Sequence, residues 1–321
     1  MSQPSSGSAE SPRGALVDPF GRRVKSLRAS VTQRCDLTCA HCHREGQRFA
    51  ADEMTPTEIE KIIRVASSLG IGKVKITGGE PLLREDIVDI VRRISPLLRE
   101  VSLTTNGTML SEFAVPLKSA GLTRVNVSLH TLDQVTYGRL CGPGQLVDVI
   151  HGIESAVDAG LNPVKVNMVV FRHENDGEIT EMMEFCGKKG AILQLIEYEA
   201  NRLDSGTEAF SARYYPLKEV EEALAHRALA ISVNELHRRR RFLVQANGSR
   251  VEVEIVRPMH NTEFCSCCTR LRLTSDGKLK PCLLDAGGEV DVLSAARSGA
   301  PDTQLRELFE KAVANRKPYW S

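Results

Sequence analysis

The sequence predicts an α/β protein: a partial (β/α)6 barrel of the TIM type followed by a smaller C-terminal domain. Three features predict it. Six short β-branched runs recur between Leu27 and Tyr198, helix-periodic stretches alternate with them, and after about Leu203 the repeat gives way to hairpin patterns. A doubly wound sheet is the alternative, because strand order is not written in local pattern.

Residues 1–22 are rich in Ser, Pro and Gly without periodicity and are expected to form a flexible leader. The barrel is expected over residues 23–203. Its strands read as LRASVT from Leu27, KVKIT from Lys73, VSLTT from Val101, RVNVSL from Arg124, VKVNMVVF from Val164 and ILQLIEY from Ile192. Between the first two, Thr55 or Thr57 can cap TPTEIEKIIRVASSLG, where Ile59, Ile62, Ile63 and Ala66 recur at helical spacing and Gly70 ends the run. REDIVDIVRRISPLL, LVDVIHGIESAVDAG and GEITEMMEFCGKKG repeat that theme. The C-terminal domain, residues 204–321, begins with a helix opened by Pro216. Hairpins then turn at Asn247-Gly248 and Asp276-Gly277, and a last helix runs from about Asp302 to Asn315.

Composition narrows the function. Lys and Arg number 42 against 41 Asp and Glu, and aromatics make up 5%, which argues against a polybasic nucleic-acid binder or a base-stacking platform. The run His237–Arg241 therefore reads as solvated surface. No apolar stretch reaches the roughly 18–20 residues needed to span a bilayer, and no signal peptide is evident, so a cytoplasmic protein without membrane or nucleic-acid partners is expected. Nine cysteines without an export signal point to metal rather than disulfides.

Those cysteines fall mainly in two sets. Cys35, Cys39 and Cys42 lie within eight residues directly after the first strand. Three thiolates on one loop suit a [4Fe-4S] cube with one iron left open; a zinc site completed by His41 or His43 is the rival. Cys265, Cys268 and Cys282 again offer three ligands, the last two flanking a hairpin, with Cys267 or His260 as a fourth if the metal is zinc. Cys141 and Cys186 read as small buried apolar residues, and His130 as a structural histidine.

The first set is followed, at the end of the second strand, by Thr77-Gly78-Gly79-Glu80-Pro81, where backbone can approach a ligand and the Glu80 side chain or neighbouring carbonyls can grip an ammonium group. CxxxCxxC after one strand with GGEP after the next resembles the radical S-adenosylmethionine (SAM) enzymes. There, the resemblance implies, the open iron chelates SAM and an electron splits it into methionine and a deoxyadenosyl radical. FCSCCTRLRLTSDGKLKPCL, with LRASVTQRCDLTCAHC, KVKITGGEPLLR, LTTNG, RVNVSLHTLD and VKVNMVVFRHENDGEI, resembles the GTP 3',8-cyclase family over about residues 24–285.

The resemblance implies two [4Fe-4S] clusters, on Cys35, Cys39 and Cys42 and on Cys265, Cys268 and Cys282, facing one shared chamber. SAM contacts fall on His41, Gly79, Ser128 and Glu199. GTP contacts fall on Arg28, Lys75, Thr104, Lys165, Arg270, Leu271 and Arg272, whose strands converge on one mouth; the two arginines beside the second set are counted with the catalytic machinery. Lys75 stands where the family usually has Arg, Gln194 where Arg is common, and His41 where an aromatic is usual. The tail Lys317-Pro318-Tyr319-Trp320-Ser321 lacks the two glycines that end many relatives. The implied reaction takes a hydrogen from ribose C3', joins that carbon to guanine C8, and gives 3',8-cyclo-7,8-dihydro-GTP, the first step of molybdenum cofactor biosynthesis. Implied partners are a reduced flavodoxin or ferredoxin as electron donor and cyclic pyranopterin monophosphate synthase as the next enzyme, with a homodimer left open. A radical SAM peptide-modifying enzyme and a non-catalytic zinc module are the competing readings.

Overall fold

The computed structural model describes residues 15–47, 52–200, 204–234, 236–259, 261–284 and 287–318. Strand and helix alternate through the first two thirds: β1 (Ser26–Ser30), α1 (Pro56–Ser68), β2 (Lys73–Thr77), α2 (Ile87–Ile94), β3 (Glu100–Thr105), α3 (Leu110–Ser119) and β4 (Arg124–Ser128). Then come α4 (Gln134–Cys141), α5 (Leu146–Asp158), β5 (Val164–Val170), α6 (Ile179–Lys189) and β6 (Ile192–Glu197). Local chemistry sets the boundaries. Thr55 accepts from the Glu58 amide while the Glu58 carboxylate accepts from the Thr55 amide, and Pro56 opens α1. Left-handed Gly190 closes α6. Between β4 and β5 there are two helices, because Gly142 at φ 86° ends α4.

The C-terminal third contains α7 (Glu208–Arg213), α8 (Lys218–Arg227), β7 (Ala230–Val233), β8 (Arg240–Ala246), β9 (Ser249–Val256) and α9 (Thr262–Ser266). It finishes with β10 (Arg270–Leu273), β11 (Lys278–Lys280), β12 (Val290–Asp291), α10 (Leu293–Arg297) and α11 (Asp302–Ala314). Both expected hairpins form: Asn247 and Gly248 have positive φ between β8 and β9, and Gly277 turns β10 into β11.

All strands join one sheet in the order β12-β11-β10-β1-β2-β3-β4-β5-β6-β9-β8-β7, with β1 to β6 parallel. This is the expected partial barrel. The C-terminal segment is not set apart from it: β10 pairs in parallel with β1, and β9 in parallel with β6, so it extends the sheet at both ends. The leader also differs from expectation. Residues 1–14 lie outside the described residues, but within 15–22 Leu16 is buried, and buried Asp18 pairs with Arg22 at 2.6 Å and Arg316 at 3.0 Å. Among the described residues no helix is long and apolar enough to cross a membrane.

Along β1 to β6 the side chains alternate. Leu27 and Ala29, Val74 and Ile76, Val101 and Leu103, Val125 and Val127, Val164 and Val166, and Leu193 and Leu195 are buried in one apolar core under the helices. The other face is polar: Arg28, Lys75, Thr104, Asn126, Lys165 and Gln194. Parallel strands buried on both sides are ordinarily apolar on both. An interior that carries Arg28, Lys75 and Lys165 with hydrogen-bonded Asn126 and Gln194 therefore departs from the branched apolar layers that ordinarily fill a TIM-type barrel.

Candidate active site

Strand register gathers the polar positions into one row. Arg28 is paired with Arg272 on one side and Lys75 on the other; Thr104 pairs with Asn126, Asn126 with Lys165, Asn167 with Gln194, and Gln194 with Glu254. These residues lie along the strands inside the barrel rather than at its mouth. Lys75 donates to Asn126 at 3.0 Å, and burial, with Arg124, Arg28, Arg270 and Lys165 nearby, holds its ammonium pKa well below the usual value. Burial, then Arg28 and Arg272, pushes Arg270 down to about 9. Such crowding of like charge is relieved by an anion.

The first cysteine set follows β1 on a loop braced from three sides. The Gly79 amide donates to Thr32 at 2.8 Å, and the Glu80 amide to Arg34 at 2.7 Å. Asp36 accepts from Asn106 at 2.7 Å and Thr108 at 2.8 Å, and the Thr38 amide donates to Cys141 at 3.0 Å. A Cβ on Gly79 would lie 2.2 Å from the Arg34 oxygen, so glycine is what lets the two turns touch. Cys35 and Cys42 are exposed, Cys39 is half-buried, and among the described residues no cysteine is in a disulfide. Burial pushes Cys35 up to about 11 and raises Cys42, a tendency that cationic iron would reverse. Three such thiols on a braced, partly open loop fit an iron–sulfur cluster.

The Glu80 carboxylate is occupied by the amides of Leu82 and Asn106 and the Thr105 hydroxyl, at 2.9, 2.7 and 2.8 Å. Burial nevertheless raises its pKa to about 7. Of the two ways to hold an ammonium group, this leaves the neighbouring carbonyls. His41 faces His130, with 3.1 Å between the Nε2 atoms, and the Val169 amide donates to Nδ1 of His130, giving His130 a structural role. Ser128 ends β4. Burial lowers the pKa of Arg272, and Glu199, expected beside SAM, lies within electrostatic reach of it and acts, after Glu45, in the opposite direction.

The second set sits at the other end of the strands. The Thr269 carbonyl accepts from the amides of Lys25 and Ser26, so Cys265 and Cys268 lie where β1 begins. Because β11 runs antiparallel to β10, Cys282 returns to that same end. Arg316 donates to the Cys268 carbonyl at 2.8 Å, and Arg22 to that of Cys265 at 3.2 Å. Both Cys268 and Cys282 raise the pKa of Arg316, which burial lowers. The two thiol sets thus occupy opposite ends of the barrel strands with the cationic row between them. His260 lies outside the described residues.

Leu271 departs from expectation: it is fully buried in the apolar core, because its neighbours Arg270 and Arg272 take the chamber face. Cys141 and Cys186 are buried as expected. The His237–Arg241 run is only partly surface: His237 stacks on Phe264 at 3.7 Å, and Arg239 pairs with buried Glu254 at 3.0 Å. The sequence reading missed Arg124, which shares β4's chamber face with Asn126 and pairs with Glu100 at 2.7 Å. It also missed Glu254, which binds Lys165, Gln194 and Arg239, and Glu45, which binds Arg28 and Arg272. Alternation in RVNVS could have found the first; the carboxylates lie far from their partners in sequence.

Among solved structures the fold resembles Streptococcus suis SuiB, with a TM-score of 0.63 at 18% identity over 86% of this chain and 65% of that one. The same protein bound to S-adenosylmethionine gives 0.59 at 18% over 85% and 63%. Residues 29–186 match the Radical SAM superfamily and residues 191–321 match Molybdenum Cofactor Synthesis C. Fold and site thus define a radical SAM protein, a class that uses SAM and an iron–sulfur cluster. A protein of Thermococcus kodakarensis called "Probable GTP 3',8-cyclase" is 53% identical over 306 residues, 95% of this chain and 99% of its own length. Similarly named proteins of Pyrococcus horikoshii and Methanothermobacter thermautotrophicus are 51% and 46% identical, each over 95% of this chain and over 98% and 99% of their own lengths. The chain belongs to the GTP 3',8-cyclase family.

Proposed function

We propose that this chain converts GTP to 3',8-cyclo-7,8-dihydro-GTP, opening molybdenum cofactor biosynthesis, with one [4Fe-4S] cluster on Cys35, Cys39 and Cys42 and a second on Cys265, Cys268 and Cys282. The observation that carries this reading is the cationic row between the two thiol sets. Arg28, Arg270 and Arg272 offer forks and Lys75 and Lys165 point charges to a triphosphate, with Thr104 as a hydroxyl partner. Leu271 contributes only backbone. The SAM side is formed by His41, the Gly79 backbone and Ser128, with Glu199 bordering both ligands. Bound at the first thiol set, the cluster and SAM supply a carbon radical able to take a hydrogen atom. The chain's own task is to hold the ribose still and to keep water and other hydrogen donors away. Removal of one hydrogen from C3', closure of the C3'–C8 bond, and gain of one electron and one proton leave an isomer of GTP. The electron comes from a reduced flavodoxin or ferredoxin in the cytoplasm, and the product passes to cyclic pyranopterin monophosphate synthase. A homodimer is compatible with this scheme.

The anaerobically reconstituted chain is incubated with SAM, reductant and GTP, and the nucleotides are separated by mass spectrometry. The expected result is a GTP isomer and GTP-dependent SAM cleavage. Cys39→Ala abolishes SAM cleavage, whereas Cys268→Ala removes the isomer and leaves some uncoupled cleavage. Peptide-dependent cleavage, or tight zinc without iron, overturns the reading.

A further inference from the structure

The loop that leaves the first cysteine set does not run directly to α1. At Arg44, Glu45 and Gly46 it turns inward through three consecutive left-handed residues, with φ of 46°, 53° and 66°. Only the glycine takes that backbone readily, so two further residues are held there by what they contact. The contacts are on Glu45. One carboxylate oxygen accepts from Arg28 at 2.6 and 2.9 Å, and the other accepts from Arg272 at 2.6 Å. Arg28 and Arg272 are registered partners on β1 and β10, so a single carboxylate bridges the two strands on the chamber side. The next residue locks the turn: the Gly46 carbonyl accepts from Lys280, and a Cβ there would lie 2.4 Å from the Leu283 oxygen, one residue beyond Cys282. The strap therefore reaches from the loop of one thiol set to the backbone beside the other.

A carboxylate bound by two guanidinium groups has the same partners that a phosphate would take. Both cannot hold Arg28 and Arg272 at once. We propose that Glu45 is the resident counter-anion of the chamber, a specificity-determining residue that occupies Arg28 and Arg272 until a nucleotide's polyphosphate displaces it. This rests on the reading of the chamber as a nucleoside triphosphate site. A ligand with little negative charge does not evict a carboxylate held this way, whereas a triphosphate does, so the exchange selects for charge as well as shape. Expelling Glu45 also releases the strap that begins at Cys42, which ties arrival of the substrate to a movement of the first cysteine loop.

The test is equilibrium binding to the cluster-loaded full chain, with inorganic tripolyphosphate, GTP and guanosine as probes. Glu45→Gln keeps the shape and removes the charge; it is expected to bind tripolyphosphate and GTP at least about tenfold more tightly than the parent and guanosine equally well. Glu45→Asp, charged but shorter, is expected to fall between them. Unchanged or weaker tripolyphosphate binding by Glu45→Gln, with the parent binding normally, overturns the inference and leaves the chamber reading intact. Should neither GTP nor tripolyphosphate bind the parent, both fall. If Glu45→Gln does not hold its fold, hydrogen exchange of residues 43–47 in the parent decides: tripolyphosphate is expected to speed it, and unchanged or slowed exchange overturns the proposal.

Discussion

Replacing Gly79 with alanine puts a Cβ 2.2 Å from the Arg34 oxygen and 2.7 Å from the Gln33 oxygen. Carbon and oxygen do not approach below about 3 Å without repulsion, so the turn after β2 and the first cysteine loop must part by roughly 1 Å. The obstacles are backbone atoms, which cannot swing aside as the end of a long side chain can. Parting breaks the bonds from the Gly79 amide to Thr32 at 2.8 Å and from the Glu80 amide to Arg34 at 2.7 Å. At about 1 kcal/mol each, plus about 1–3 kcal/mol for overpacking, the expected loss is about 3–5 kcal/mol. Because the displaced strand of backbone leads directly into Cys35, iron bound per chain is expected to fall as well. Gly177→Ala is the control: nothing lies within 4 Å of its added Cβ, and its effect is expected to stay within about 0.5 kcal/mol. Thermal unfolding and iron content are measured on both variants. If Gly79→Ala behaves like Gly177→Ala in both, the bracing argument is wrong.

Glu254→Gln tests the buried charge group behind Lys165. Burial alone would raise this carboxyl, but Lys165 and Arg239 hold it at about 2 against an ordinary 4.5. Its folded pKa lies below the unfolded one, so its contribution is complete above pH 4.5 and is lost as the pH falls towards 2; the difference is worth about 3 kcal/mol. Denaturant unfolding of the cluster-free protein should show a gap between parent and variant at pH 7 that closes in acid, and a pH-independent gap refutes the assignment. Arg316→Ala removes the bond to the Cys268 carbonyl and one partner of buried Asp18. It is expected to cost about half of the bound iron, read by iron analysis, with full occupancy as the contrary result. Arg272→Ala should weaken GTP binding by about tenfold or more, measured by equilibrium dialysis; unchanged affinity counts against its contact with phosphate.

Local chemistry made much of the fold legible. The six β-branched runs became β1 to β6, the Thr55 cap opened α1, and both glycine turns closed hairpins. What remained hidden is non-local. Nothing near residue 254 announces pairing with β6, and nothing near residue 272 announces pairing with β1, so the place of the C-terminal strands in the sheet is not legible in the sequence. β7 is short and exposed at every position, so its four residues carry no buried face for a pattern to mark. In the site, Arg28, Lys75 and Lys165 lie on the chamber face, whereas Leu271 turns to the core; strict period-two reading of Arg270-Leu271-Arg272 already separates them. Glu45 was not legible, since its role depends on left-handed backbone at two residues that ordinarily avoid it.

The placement of β9 and β10 at opposite borders of the parallel strands bears on how the polypeptide is made. During synthesis β1 and β6 leave the ribosome with an unpaired rim each, and their partners are translated only after most of the chain. A nascent fragment stopping near residue 200 exposes both rims at once, the condition under which strands recruit neighbouring molecules. Maturation of this protein is thus expected to depend on its last third arriving intact, and carboxy-terminal truncations to accumulate as aggregates rather than as smaller working barrels.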